Sequence, residues 1–360
     1  MSLHGASADL VERAIEAGDP LPGGRGFAGA LDGGRLVRDV LGRYPLFTER
    51  GGTGWGFSPT ALADPVPFPA GSVRDGDEVE RVWTLPEPEP IEASEGAIER
   101  LQDALGESLR AVDTAGTAVA FSGGIDSAVV ANALSVPCYV AGFEGSHDLE
   151  AARSAADLLD LDLRGVEITH GEIERAASRV ADATGRTNAM DVSIALTLFL
   201  VGERAAEDGY DRLALGQGAD ELFGGYEKVA RHDHRVEAES IRGAAREAIG
   251  SLPHGLERDV LALRAAGVEP VMPLLDDRLV ATALGLDGDH LVRDGVRKWA
   301  FREAARAFVP EEIGTRPKKA IQYGSLVSRE LDRLARQAGY KRRMDRHVDR
   351  YVASLLGPGG

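Results

Sequence analysis

One short segment constrains this chain more than any other. Ser122-Gly123-Gly124-Ile125-Asp126-Ser127 follows directly on the apolar run Thr117-Ala118-Val119-Ala120-Phe121. The run predicts a buried strand, and residues 127–134 predict a helix. A Ser/Gly loop between them aims free backbone N–H groups and the positive end of the helix dipole at whatever lies at the helix start. That is a site for anionic oxygens. Glycine lets the backbone approach a phosphate where a Cβ would intervene. Asp126 suits such a site only beside a cation, and Mg²⁺ on a nucleotide phosphate supplies one. The kinase-type GxxxxGK[ST] loop does not occur in the sequence.

The surrounding pattern predicts how the loop is mounted. Leu85-Pro86-Glu87-Pro88-Glu89-Pro90 excludes helix and central strand and reads as an extended linker. Before it, apolar runs at 26–31, 35–41 and 55–57 predict short strands. After it, a helix is expected over 95–112, then strands at 117–121, 138–141, 163–168 and 212–215, separated by helical stretches. Strands alternating with helices imply an α/β fold with a parallel, doubly wound sheet. Beyond Tyr226 the chain reads as mostly helical. The expected organisation is a small β-rich domain (1–84), a linker (85–92), the α/β domain with a helical C-terminal part (93–335), and a basic helix with a disordered Gly357–Gly360 end (336–360).

Ligands of open α/β sheets bind at the carboxyl ends of strands. Gly216-Gln217-Gly218-Ala219-Asp220-Glu221-Leu222-Phe223-Gly224-Gly225-Tyr226 stands at one such end. Asp126 and Asp220 would flank one crevice from neighbouring strands, as two carboxylate supports for Mg²⁺ facing a triphosphate.

A strand–SGGxDS–helix unit resembles the ATP-pyrophosphatase (PP-loop) enzymes, whose sheet is of the adenine nucleotide alpha hydrolase type. With GQGADELFGGY, Met272-Pro273-Leu274-Leu275-Asp276, Gly295-Val296-Arg297-Lys298 and Arg316-Pro317-Lys318-Lys319-Ala320, residues from about 95 to 330 are similar to the synthetase domain of glutamine-dependent asparagine synthetase. The resemblance implies attack at the α-phosphate of ATP, giving an adenylated carboxylate and pyrophosphate. It implies that Ser122, Gly123, Gly124, Asp126, Ser127 and Lys298 hold the pyrophosphate end of ATP. Ala141, Gly142 and Gly216 would line the adenosine pocket, Asp126 and Asp220 would take Mg²⁺, and Lys318 would neutralise departing pyrophosphate. The neighbouring Lys319 carries a weaker expectation of the same kind.

Residues 38–47, 56–58 and 68–73 resemble the last third of the family's glutaminase domain. No nucleophilic cysteine opens the chain, so ammonia is expected from solution or from a separate glutaminase subunit. Two further departures concern the amino-acid side. Gln217 stands where the family often has Glu, and an amide cannot accept a proton from ammonium. The stretch Thr184-Gly185-Arg186-Thr187-Asn188-Ala189-Met190-Asp191 supplies Arg186 and hydroxyls where the family is acid-rich. Either the proton acceptor has moved, with Glu221 the nearest candidate, or the acyl acceptor is not ammonia.

Composition bounds the remaining choices. Acidic residues number 58 against 41 basic, a formal charge of −17, and only five of the basic residues are lysines. This favours a halophilic, salt-rich setting over a merely Arg-for-Lys composition, and weighs against nucleic acid as a partner. One cysteine, Cys138, excludes a disulfide framework or a Cys-rich metal cluster. No apolar run is long enough to span a membrane and no signal peptide is apparent, so a cytoplasmic chain is expected. Arg231-His232-Asp233-His234 reads as a solvated turn. The basic run 340–350 reads as a surface helix offsetting local acid, with a contact for RNA or a partner subunit as its alternative. A homodimer stays open. The expected function is an ATP-dependent, amide-forming ligase acting on aspartate. A PP-loop ligase for another acyl substrate or a tRNA base, and a non-catalytic nucleotide binder, remain as alternatives.

Overall fold

The structure, a computed structural model, describes residues 2–231, 233–315 and 325–356. Lys318, Lys319, His232 and the Gly357–Gly360 end lie outside the described residues.

Five parallel strands form the central sheet: β1 (Thr117–Ala120), β2 (Cys138–Gly142), β3 (Leu163–Glu167), β4 (Arg212–Ala214) and β5 (Glu269–Val271). Their order across the sheet is β3-β2-β1-β4-β5. Every pairing is parallel, with Cys138 opposite Val119 and Arg212 opposite Thr117. The chain therefore steps outward from β1 to β3 and then returns to the other side of β1. Right-handed crossovers put the connecting helices of those two halves on opposite faces, which is the doubly wound α/β class. Order reverses between β1 and β4, so the loops after these strands frame the crevice.

The α/β pattern predicts four of these strands but not the fifth. Glu269-Pro270-Val271 contains a proline, which argues against a central strand. It is an edge strand paired with β4 alone, so Pro270 needs no N–H on its outer side. Connecting helices are α1 (Ser94–Arg110), which leads into the sheet, α2 (Ile125–Leu134), α3 (His147–Leu159), α4 (His170–Thr184), α5 (Ala189–Glu207) and α6 (Leu252–Ala266). α5 buries most of its length, including Leu196, Phe199 and Leu200, and runs across β2 and β1.

The N-terminal part forms an antiparallel five-stranded sheet and a three-stranded one. The apolar runs hold the strands Ala28–Ala30, Leu36–Arg38 and Trp55–Gly56. A helix over Ala8–Ala17 is an addition to the expected strands. Its signals are Ser7, whose hydroxyl accepts from the Leu10 N–H, and the left-handed Gly18 that ends it. Val11, Phe27, Val37 and Trp83 share one apolar core with Leu101, Leu105 and the central sheet. The Pro/Glu stretch is extended and pinned: Leu85 and Pro86 carbonyls accept from Arg246 at 2.5 and 2.7 Å.

At the C-terminus the helix His347–Leu355 buries Val348, Tyr351 and Val352 against α4 and α5. It begins near the end of the basic run, not at Tyr340. Arg342 and His347 both reach Asp332, at 2.7 and 2.8 Å, and Arg346 reaches Asp349. Much of that basic run thus offsets local acid.

Candidate active site

The crevice is built from two loops that touch. Ser122 to Gly124 turns from β1 into α2, with Gly123 in the left-handed region at φ 73° and its missing Cβ leaving room for the Ala151 carbonyl. Ser127 closes the loop by donating to the Gly124 carbonyl at 3.1 Å and accepting from the Ser122 N–H at 3.2 Å. Among the described residues no side chain caps α2, an arrangement that suits an anion at its N-terminus. Gly216, at the end of β4, lies directly against the backbone of Asp126 and Ser127. Ala141 and Gly142 end β2 and are buried.

Lys298 joins the loops. Its Nζ lies 2.7 Å from both Asp126 carboxylate oxygens and 2.7 Å from Asp220 Oδ1. Its side chain is 3 % exposed, while those of Asp126 and Asp220 are 18 % and 17 % exposed. Burial pulls the Lys298 ammonium below the usual lysine range, against the opposing pull of Asp126 and Glu221. A hairpin positions it: Val292–Arg293 pairs with Val296–Arg297 through Asp294 and Gly295, both left-handed. That is the type I′ turn that Asp-Gly favours, a signal present in the sequence. Lys298 itself is left-handed at φ 57°, a conformation costing a non-glycine residue about 1–3 kcal/mol. Gly225 leaves open the space through which the lysine stem passes, beside Asp220. Arg297 secures that strand of chain by donating to the Gly225 carbonyl at 3.0 Å.

The two carboxylates expected to hold Mg²⁺ thus converge, but a buried lysine stands with them. Among the described residues no group of three or more His, Cys, Asp or Glu side chains is placed to hold a metal. Magnesium needs no such cage: it takes one or two carboxylates, with phosphate and water completing the shell. The partly exposed Asp126 and Asp220 fit that role.

Glu221 is half-buried, and its Oε1 accepts a short hydrogen bond from the Tyr226 hydroxyl. Burial pushes its carboxyl above the ordinary glutamate value, opposed by Tyr226 and by the charge of Lys298. Gln217 does not stand alone. Its Nε2 donates to Asp259 Oδ2 at 2.6 Å. Asp259, 1 % exposed, accepts from Arg258 Nε at 2.7 Å, and Arg258 donates to Asp191 at 2.9 Å. Asp191 also accepts from Arg186 and Asn188, and Arg186 reaches Glu257 at 2.9 Å. The two sequence departures are therefore one network. The 184–191 stretch does supply a carboxylate, Asp191, but ion pairs occupy it. Sequence reasoning missed Glu257-Arg258-Asp259, three buried charges inside the apolar helix α6. A charged triplet interrupting an apolar helix was the available signal.

The asparagine synthase family model matches residues 97–264 and 245–352. This chain belongs to the asparagine synthase family. A putative glutamine-hydrolysing asparagine synthetase of Methanocaldococcus jannaschii is 30% identical over 299 residues, covering 72% of this chain and 54% of that protein. The glutamine-hydrolysing asparagine synthetase of Zea mays is 26% identical over 229 residues, covering 57% of this chain and 39% of its own length. The chain thus spans about half the length of the archaeal relative and less of the plant one. Among solved structures, an NMN synthetase from Francisella tularensis aligns over 73% of this chain and 93% of its own, at 14% identity and a TM-score of 0.34. That score is too low to bear on the site. No helix among the described residues is long and apolar enough to cross a membrane.

Proposed function

We propose that this asparagine synthase family chain is an ATP-dependent, amide-forming ligase. The observation that supports it most is the Asp126–Lys298–Asp220 cluster set against the SGGIDS loop at the β1/β4 switch point. In this reading an oxygen of the substrate carboxylate, that of aspartate by family, attacks the α-phosphorus of ATP. The bond to the β-phosphate oxygen breaks and pyrophosphate leaves. Ammonia then attacks the acyl carbon, AMP departs with the electron pair, and a proton is lost from nitrogen.

The chain's own groups serve these steps by position and charge. Ser122, Gly123, Gly124 and Ser127, with the N-terminus of α2, hold the phosphates. Gly216, and the strand end at Ala141 and Gly142, border the nucleoside. Lys298 answers the negative charge that grows on the leaving group, and Lys318 is assigned the same task by family. Asp126 and Asp220 would hold Mg²⁺, which supplies charge neutralisation on the phosphates when bound. Glu221, whose carboxyl burial pushes above its ordinary value, serves as the proton acceptor in this reading.

Glutamine hydrolysis is not part of this proposal. Burial pushes the Cys138 thiol up to about 12, and at the foot of β2 it is no nucleophile. Free ammonia, or ammonia from a separate subunit, is the donor. A different acyl substrate is the second reading, favoured because Gln217 and Asp191 are both committed to the buried network.

Pyrophosphate release is the deciding assay, run with ATP, magnesium, ammonium and a panel of carboxylic amino acids. Equal yields of AMP and pyrophosphate with aspartate are expected, glutamine failing to replace ammonium. Release with no carboxylate in the panel would reduce the chain to a nucleotide binder.

A further inference from the structure

A cavity of about 150 Å³ lies beside the Pro/Glu linker and shares no residue with the Asp126–Lys298–Asp220 cluster. Glu87 of the linker, the helix Ile241–Gly250, the end of the helix Asp277–Leu284 and Leu222 of the second crevice loop wall it. Its apolar side is formed by Leu222, Ile249, Leu286 and Leu291, all buried. An apolar cavity of that size has room for one benzene-sized group.

Arg242 and Arg246 line the same cavity, four residues apart on one face of their helix. The linker fixes where their guanidinium groups stand. Arg242 Nη2 donates to the Pro88 carbonyl and, at 3.1 Å, to that of Leu284. Arg246 donates to the Pro86 and Leu85 carbonyls at 2.7 and 2.5 Å. Pro86 and Pro88 bracket Glu87, so both charged heads stand along the linker wall. Carbonyls satisfy donors but cancel no charge, and like charges at this spacing repel. Among the described residues neither arginine forms an ion pair, Glu87 included, and Arg242 Nε and Nη1 and Arg246 Nε bond nothing. With 58 acids to 41 bases in the chain, carboxylates to pair with them are not in short supply.

We propose that this cavity binds a small monocarboxylate with a short, branched apolar chain. Its carboxylate lies between Arg242 and Arg246, where guanidinium groups give charge-assisted hydrogen bonds, and its chain packs on Leu222, Ile249 and Leu291. The volume limits the chain to about five or six carbons. Inorganic phosphate would meet the arginines and leave the apolar wall unfilled. A zwitterionic amino acid would set an ammonium against leucines without a partner, so the substrates of a ligase are excluded here. The bound molecule joins the linker to the loop that carries Asp220. This site stands independently of the ligase reading.

Isovalerate is the probe, added as its potassium salt against KCl at equal ionic strength and without ATP. Calorimetry is expected to give a Kd of about 1 mM, modest for so small a molecule. At about ten times that concentration the melting temperature rises by about 2 °C. Isovaleramide has the shape without the charge, and phosphate the charge without the chain. Each binds at least about tenfold more weakly, the loss of one strong contact. Ala245, buried in the cavity wall, gives the variant: Ala245→Leu fills the space, leaves both arginines in place and weakens isovalerate at least about tenfold. Crystals of the wild type soaked in 3-bromobutanoate show anomalous bromine signal among Leu222, Ile249 and Leu291, a measurement that needs no variant.

Equal binding of isovaleramide or of phosphate overturns the inference, because the two halves of the site would not act together. Undiminished binding to a folded Ala245→Leu protein overturns it too. So does bromine signal confined to the crevice or to the outer surface, and so does the absence of isovalerate binding at about 20 mM.

Discussion

Lys298 joins the two loops of the candidate site through one side chain. It is buried, left-handed in its backbone, and shared between two carboxylates from two loops. A lysine kept in that state only to neutralise Asp126 and Asp220 would be a costly structural choice, since strain and desolvation both oppose it. In the proposed reaction the expected gain lies in the transition state, where charge would grow on a departing pyrophosphate. Lys298→Ala is therefore expected to slow turnover by about a hundred- to a thousandfold, the loss typical of one preorganised electrostatic contact. ATP affinity should change much less, because the extra charge appears after binding. Lys341→Ala, at an exposed position outside every motif, is the control and should be near neutral. Pyrophosphate release measured over a range of ATP concentrations separates the two effects. A Lys298→Ala enzyme with unimpaired turnover would show that the lysine only balances charge.

Helix α6 carries the element-scale argument. Glu257, Arg258 and Asp259 are buried among Leu256, Val260 and Leu263, and each charge finds a partner on another element. Removing one partner from a buried ionic network leaves an uncompensated charge, so Arg258→Met should destabilise the fold by about 3 kcal/mol. A shift in urea midpoint at constant slope is the check. The same network sets an acid limit. Burial alone would raise the Asp191 carboxyl, but Asn188, Arg258 and Arg186 hold it below its ordinary value. A depressed folded value means the contribution is complete above about pH 3.9, where the unfolded carboxyl ionises, and is lost as pH falls through the folded value. Asp191→Asn should therefore narrow the gap between stability at about pH 6 and at about pH 3. How legible the molecule is follows the same physics. The SGGIDS and GQGADE loops, and the four strands that carry them, are written in local glycine and apolar patterns. Edge strand β5 is hidden by its proline. The Gln217–Asp259–Arg258–Asp191 chain is invisible because its long-range links join residues 42 and 67 positions apart, which meet only once α5 and α6 pack together.

At the scale of the whole molecule, buried hydrogen bonds tie the N-terminal part to the loops of the candidate site. Arg43, fully buried, donates to Asp39 at 2.9 Å and to the Leu275 carbonyl and Asp277 at 2.7 Å each. Gly23 and Gly24 N–H groups donate to the other Asp277 oxygen. Leu275 in turn packs against Gly218 of the second crevice loop. What opposes this compactness is charge: −17 on a single chain. Many surface arginines are already paired, as Arg175 is with Glu203 and Arg50 with Asp64, but exposed pairs contribute about 0–1 kcal/mol each and salt weakens them. The buried pairs of Arg43, Lys298 and Arg258 are screened far less. Two effects of salt therefore compete, loss of small surface attractions and relief of a net repulsion spread over the whole surface. With 58 acids against 41 bases the repulsion has no local partner to cancel it, so screening should win. The melting temperature is expected to rise from dilute buffer to molar KCl, steeply over the first few hundred millimolar where the Debye length falls below about 8 Å, then more slowly. Pyrophosphate release should follow the folded fraction. A melting temperature that stays level or falls across that range would mean that surface ion pairs outweigh the net charge, and that the acidic composition is no adaptation to salt.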